Sequence, residues 1–315
     1  MGIEDPLREG VQEAVANCAQ AGVRVMMCTG DNLLTAQSIA QQCGIYTPGG
    51  ITMDGARFRA LSPDDMKAIA PQLQVLARCT PEDKRILVEM LKELGETVCV
   101  AGDGTNDGPA LNAAHVGVTL GIAGTEVAEE ASDIILMDDN FPSIVKVIAE
   151  GRRLNEFMRK LLQFQIPAKV AIIIATLTSP ILPSTMLSVA QLLWVLAIVD
   201  VLAPLALASE TAIPTWLKRR QAETSPLLTV DMTKHVLGQS TYQVAILLLL
   251  PLFFLRILGY QDINDPSYTT RALVFNTFVF AQISNMLNSR HLDRKLNVLE
   301  GVSNNWRFML IASIG

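Results

Sequence analysis

The chain has no excess of positive charge. Its 315 residues carry 25 Lys and Arg against 31 Asp and Glu, a net charge of −6. That balance argues against a nucleic-acid partner, because phosphate backbones are bound by basic surfaces. There is no CxxC pair. The cysteines are scattered at Cys18, Cys28, Cys43, Cys79 and Cys99, which points to reduced cytosolic thiols rather than a disulfide framework. The opening Met1-Gly2-Ile3-Glu4-Asp5 lacks both a basic start and an apolar run, so no secretory signal is expected. Gly2 makes no myristoylation site, since Pro6 stands where Ser or Thr is required.

Apolar residues are plentiful instead. They make up 50% of the chain, and the mean hydropathy is +0.32. Residues 1–160 mix charge with short apolar runs, whereas 161–315 carry long apolar stretches broken by short polar loops. The expected organisation is a cytosolic domain over 1–160 and a membrane domain over 161–315.

In the first part, strand-like runs at 23–28, 75–79, 98–101, 116–118 and 134–136 alternate with helical patterns at 32–43, 81–94 and 109–114. That alternation predicts βαβ units and a parallel sheet. Ligands bind such sheets beyond the C-terminal strand ends. Three polar clusters fall there. Thr29-Gly30-Asp31 offers a hydroxyl and backbone N–H groups at a helix N-terminus, suited to an anion. Lys84, in Thr80-Pro81-Glu82-Asp83-Lys84, is a point charge suited to phosphate. Asp103 and Asp107, in a Gly-rich turn, suit Mg²⁺ held by few carboxylates plus waters and phosphate oxygens. Each cluster alone also reads as an ordinary turn or helix cap. Three in succession are hard to explain that way.

The run Gly102-Asp103-Gly104-Thr105-Asn106-Asp107-Gly108-Pro109-Ala110-Leu111 closely resembles the hinge signature of P-type ATPases. Asp5-Pro6-Leu7-Arg8, Thr29-Gly30-Asp31, Pro81-Glu82-Asp83-Lys84, the segment 121–128 and the segment 131–136 fit the same family in order and spacing. Gly108 and the Gly-Ile-Ala-Gly-Thr run at 121–125 look most like the plasma-membrane type of calcium pump. The resemblance implies an α/β haloacid-dehalogenase-like, Rossmann-like phosphorylation domain followed by an all-α transmembrane bundle. It implies Mg²⁺ and ATP as cofactors. It implies that Asp103 is a Mg²⁺ ligand, that Asp107 and Asn106 support the metal and phosphate site, and that Thr29, Gly30 and Lys84 contact the phosphoryl group. No Asp-Lys-Thr-Gly motif, which holds the phosphorylated aspartate of the family, occurs in the chain; Glu82-Asp83-Lys84-Arg85 lacks the Thr-Gly. A Thr-Gly-Glu segment is absent too. The expectation is that this polypeptide does not hydrolyse ATP by itself.

Apolar stretches at 162–182, 189–208 and 236–258 are long enough to span a bilayer, which takes about 20 residues. A shorter, more polar span is expected at 271–287 and the start of another at 306–315. By resemblance these are the fifth to ninth of ten spans. Basic residues at 152–160, 218–234 and 290–295 alternate with an acidic loop at 259–270. The first part and every basic loop are therefore expected on the cytosolic side; plasma membrane and vacuolar or other endomembrane are not distinguished.

Asp200 falls mid-span, where a charge is paired or functional. Pro167 and Pro204 lie in the same two spans and free backbone carbonyls, or simply kink the helices. By resemblance Asp200 matches the transport carboxylate of the family. Leu196 and Lys169 stand where calcium pumps have asparagine, and Met286 stands where a glutamate occurs. Calcium takes six or more oxygens, and an ammonium beside Asp200 opposes a divalent ion. Two accounts fit: another cation or protons, with Lys169 as internal counter-charge, or loss of transport with the scaffold kept. Asp200 merely pairing with Lys169 is a third, purely structural reading. The expected partners are the transported cation (calcium by resemblance), the lipid bilayer, and the remainder of a pump or an intact pump. A soluble phosphatase is argued against by the spans and the missing nucleophile.

Overall fold

The computed structural model describes residues 7–138, 140–178, 180–181, 187–209, 227–257, 268–290, 292, 305–306 and 308–310. It divides into two compact units. One comprises 1–150 with 214–221, the other 151–213 with 222–315.

The first unit is α/β. Its elements are α1 (Val11–Gln20), β1 (Met27–Cys28), α2 (Leu33–Cys43), β2 (Ile51–Asp54), α3 (Gly55–Arg59), α4 (Pro63–Ile69), β3 (Leu73–Ala77) and α5 (Pro81–Glu93). They continue with β4 (Cys99–Ala101), α6 (Gly108–Ala113), β5 (Val116–Leu120), α7 (Glu126–Glu130) and β6 (Ile134–Leu136). Two three-stranded sheets form, in the orders β1-β3-β2 and β4-β5-β6, and every pairing is parallel. β3 is buried at all but one position, as a central strand covered on both faces must be. Ala36 and Ala40 of α2 cover Val75 and Ala77. Phe58, Leu87, Met90 and Leu91 cover Leu73 and Leu76 on the other side. Val118 and Leu136 share a smaller core with Ile144.

The strand expected over 23–28 is shorter. Only Met27 and Cys28 pair with β3. Arg24 instead sends its guanidinium to the carbonyls of Ala70 and Pro71, at 3.2 and 2.7 Å. β2, α1, α3, α4 and α7 were not expected. The expected strands 75–79, 98–101, 116–118 and 134–136 appear as β3 to β6 within one or two residues at most ends.

The second unit is helical. α8 (Pro142–Thr178) is a 37-residue helix. α9 (Val189–Ala197) continues through a π-helical turn at Ile198–Leu202 into α10 (Ala203–Ala208). Pro204 accounts for the turn: it has no N–H to give the Asp200 carbonyl, and its ring crowds that carbonyl. The Ala203 N–H accordingly reaches back five residues to the Ile198 carbonyl. α11 (Val230–Ile257) and α12 (Tyr268–Asn288) follow. Small residues Ala168, Ala171 and Ala175 on α8, with Ala203 and Ala206, join Phe164, Val195, Val199 and Phe278 in one core; small side chains let helices approach closely. Among the described residues three helices are long and apolar enough to cross a membrane: Pro142–Thr178, Val189–Ala208 and Val230–Phe253. α12 has the length, at 21 residues, but is not one of them. Most of the expected stretch at 306–315, the acidic loop at 259–267, Asp5-Pro6 and the basic residues at 218–220 and 294–295 lie outside the described residues.

Candidate functional site

The first two polar loops are laced together by the backbone. The Thr29 N–H donates to the Leu76 carbonyl at 3.0 Å, the Cys79 N–H donates to the Thr29 carbonyl at 3.0 Å, and the Arg78 N–H donates to the Asp31 carbonyl at 2.9 Å. Arg78 reaches that position in the left-handed region, at φ 48°. The Asp31 N–H turns back onto Thr29 Oγ1 at 3.2 Å. The helix cap itself is the next residue, Asn32, which accepts from the Thr35 N–H at 2.9 Å, so Thr29-Gly30-Asp31 forms the approach to α2 rather than its first turn. Gly30 and Asp31 are exposed, and a Cβ on Gly30 would meet nothing within 4 Å.

Thr80 and Asp83 close a capping box at the start of α5, with Pro81 in the first turn. Asp83 is fully buried. It accepts from the Thr80 N–H at 2.8 Å and from the Arg59 guanidinium of α3. Burial pushes its carboxyl up, but the hydrogen bonds from Thr80 and Arg59 outweigh that and hold it below the usual range. With the helix start pinned, the next residue, Lys84, is aimed at the third loop. Its Nζ donates to Asp107 Oδ1 at 2.6 Å, with both side chains about five-sixths buried.

The third loop turns through a 3₁₀ turn at Thr105–Asp107 into α6. Asp107 folds back over Gly102: a Cβ there would lie 2.6 Å from Asp107 Cβ, so only glycine fits. The Asp103 carbonyl accepts from the Thr125 N–H at 2.9 Å, which backs the loop with the glycine-rich segment that caps α7. The side chains of Asp103 and Asn106 are exposed. Lys84 and Asp107 thus meet, the Thr29 loop is laced to the turn at Cys79 that leads into the helix of Lys84, and Asp103 and Asn106 flank Asp107 on its own loop. The Lys84–Asp107 pair was not expected from the sequence, nor were the roles of Arg59 and Asp83.

Among the described residues no three His, Cys, Asp or Glu side chains are grouped to hold a metal. Two carboxylates on one loop fit Mg²⁺, which keeps waters and phosphate oxygens as its other ligands; they do not fit a metal caged by protein alone. Two thiols border these loops. Accepting a hydrogen bond from Cys28, with help from the nearby Lys84 ammonium, lowers the Cys79 thiol. That hydrogen bond and burial push the Cys28 thiol well up.

In the helical unit, Lys169 of α8 donates from Nζ to both oxygens of Asp200, at 2.6 and 2.7 Å. Asp200 sits inside the π-helical turn. Leu196 is half-buried on α9, and Met286 is packed in the apolar core. Buried amides that no sequence pattern singles out lie in the same unit. The Asn285 side chain donates to the Phe164 carbonyl at 3.0 Å, in the turn that Pro167 disturbs, and Gln282 donates to Gln243 at 3.0 Å.

Comparison with known proteins gives two family matches, a haloacid dehalogenase-like hydrolase over residues 1–115 and the C-terminus of cation transporting ATPases over 184–315. The chain is 54% identical to Calcium-transporting ATPase 2 of Cryptococcus neoformans, over 98% of this chain and 22% of that protein. It is 49% identical to Calcium-transporting ATPase 2 of Schizosaccharomyces pombe, over 98% of this chain and 24% of that protein. With Calcium-transporting ATPase 4, plasma membrane-type, of Arabidopsis thaliana, the identity is 46% over 100% of this chain and 30% of the relative. The chain therefore spans less than a third of the length of these relatives. A dehalogenase-like α/β unit followed by apolar helices, aligned nearly throughout with such pumps, means that the chain belongs to the family of cation-transporting P-type ATPases.

Proposed function

We propose that these residues form the phosphoryl-handling and ion-handling parts of an ATP-driven cation pump, calcium-transporting by kinship with its relatives. The observation that carries this reading is the largely buried ion pair between Lys84 and Asp107, on the loop of Asp103 and beside the turn to which the Thr29 loop is laced. Lys84 neutralises charge on a bound phosphoryl group, and the Thr29 hydroxyl and Gly30 N–H donate to its oxygens. Asp103, with Asp107 and Asn106 in support, would hold Mg²⁺, which would supply further neutralisation of phosphate charge. Lys84 is stored on Asp107 and exchanges that partner for phosphate. The phosphorylated aspartate and the ATP-binding residues would come from outside these 315 residues, as the rest of the pump or an intact partner. The α/β unit and the basic loops lie on the cytosolic side of a plasma or endomembrane.

A Mn²⁺ titration followed by electron paramagnetic resonance tests the cleft on the purified chain, with inorganic phosphate present. Asp103→Asn should weaken Mn²⁺ binding by about tenfold or more, equivalent to about 1.4 kcal/mol. Unchanged binding in that variant would sink the assignment.

A second reading has its own support. The bidentate pairing of Lys169 with Asp200 occupies the carboxylate that, by resemblance, a calcium route would use, and Leu196 and Met286 add no oxygen. It favours a cation other than calcium, or a scaffold that has lost transport.

A further inference from the structure

The five cysteines are not equivalent. Cys18 and Cys43 are buried, Cys99 is exposed on β4, and none of the five is in a disulfide. Cys28 and Cys79 form a pair. Cys28 ends β1, opposite Leu76 in the parallel register with β3. Cys79 lies two residues beyond β3, where the left-handed turn at Arg78 folds the chain back toward β1. Its N–H donates to the Thr29 carbonyl at 3.0 Å, and its sulfur lies 3.2 Å from the Leu76 carbonyl. The backbone pairing of Cys28 with Leu76 and of Cys79 with Thr29 sets the two thiols side by side, and both are half-buried rather than sealed. Each adjoins a loop of the phosphoryl cleft: Cys28 precedes Thr29, and Cys79 precedes Thr80 and the helix that carries Lys84.

We propose that Cys28 and Cys79 are a modification site: a peroxide-class oxidant converts them to a reversible disulfide that locks the cleft. The thiolate of Cys79, favoured by the Lys84 ammonium, is the attacking group. Its sulfur attacks one peroxide oxygen, the O–O bond breaks, and the departing hydroxide takes up a proton to become water. The sulfur of Cys28 then attacks the Cys79 sulfenic acid; the S–O bond breaks, the S–S bond forms, and the hydroxyl leaves as water with the proton from Cys28. Two thiols lose two electrons, and one peroxide becomes two waters. A covalent S–S bond is far shorter than a thiol hydrogen bond. Closing it draws the Thr29 loop and the Thr80 turn together and moves Lys84 relative to Asp107. That last consequence rests on the proposed function; formation of the bond does not.

The test uses the whole chain in detergent. Hydrogen peroxide is added, remaining thiols are blocked with N-ethylmaleimide, and peptides are mapped without reduction. A Cys28–Cys79 cross-linked peptide should appear, vanish after dithiothreitol, and be missing in Cys79→Ser and Cys28→Ser. Cys18, Cys43 and Cys99 should stay alkylated. Recovery of Cys28 and Cys79 as alkylated thiols, or joined to Cys99, would overturn the proposal. In parallel, oxidation should weaken Mn²⁺ binding in the presence of phosphate by about tenfold, or about 1.4 kcal/mol, and should leave Cys79→Ser unaffected. A disulfide that forms without changing Mn²⁺ binding overturns its regulatory role. A chain that binds no Mn²⁺ even before oxidation refutes the proposed function and leaves the cross-link result standing.

Discussion

Lys84 can meet Asp107 only because its neighbour is held in place. Asp83 has no exposed surface, and its Oδ1 has no hydrogen-bond partner. The whole compensation for burying it comes through Oδ2, from Arg59 and Thr80. Its folded pKa lies below the ordinary value of a carboxyl, which is about 3.9. The sign follows from linkage: the stabilisation is present above the unfolded pKa and is lost as pH falls through the depressed folded value. The α/β unit should therefore lose stability below about pH 4. Asp83→Asn, which gives up charge-assisted bonds, should cost about 2 kcal/mol at neutral pH and flatten that acid dependence. Urea denaturation of the detergent-solubilised chain across pH 3–7 checks both; an equally steep acid limb in Asp83→Asn would refute the assignment. Both neighbours belong to one local motif, and the Thr80–Asp83 cap is a local pattern too; what the sequence hides is the ion pair of Asp83 with Arg59, 24 residues earlier, because a partner on another helix leaves no local pattern.

Among the elements, the π-helical turn in the second apolar span has the most consequence. Proline at 204 is visible in the sequence; that the helix widens by one residue there, with Asp200 inside the widened turn, is not, because a proline can kink a helix or be absorbed. The strands show a similar limit. β3 is legible as an apolar run because it is covered on both faces, while β1 is shorter than its apolar run because pairing, not composition, decides where a strand begins. The Asp200 carboxylate is held by Lys169 from α8. Removing the lysine leaves a carboxylate without its counter-charge in an apolar layer, at about 2.5–3.5 kcal/mol. Lys169→Met should lower stability by that order, and adding Asp200→Asn should restore most of it, since a neutral pair needs no counter-charge. A double-mutant cycle of thermal stability in detergent measures this. Additive effects of the two changes would show that the pair contributes nothing.

At the scale of the whole molecule, charge supports the proposed orientation. Arg152, Arg153, Arg159 and Lys160 stand on α8 ahead of its most apolar stretch. Retaining basic residues on the cytosolic side is the strongest orienting influence on a short flank. The α/β unit is continuous in sequence with that flank, so the proposal puts it on the same side. The expectation rests on the uneven spread of charge in the amino-acid sequence, because membrane insertion reads composition over tens of residues and not side-chain geometry. Cys99 supplies a native reporter: it is exposed and stands in the α/β unit. In sealed vesicles with the cytosolic face outward, a membrane-impermeant maleimide should label Cys99 to completion. In vesicles of the opposite orientation, labelling should appear only after permeabilisation. Peptide mapping separates Cys99 from Cys28 and Cys79, which are half-buried. Full labelling of Cys99 in intact vesicles of the second kind would reverse the orientation. It would also place the Thr29, Lys84 and Asp103 loops on the side away from cytosolic ATP, so the proposed phosphoryl role depends on this result.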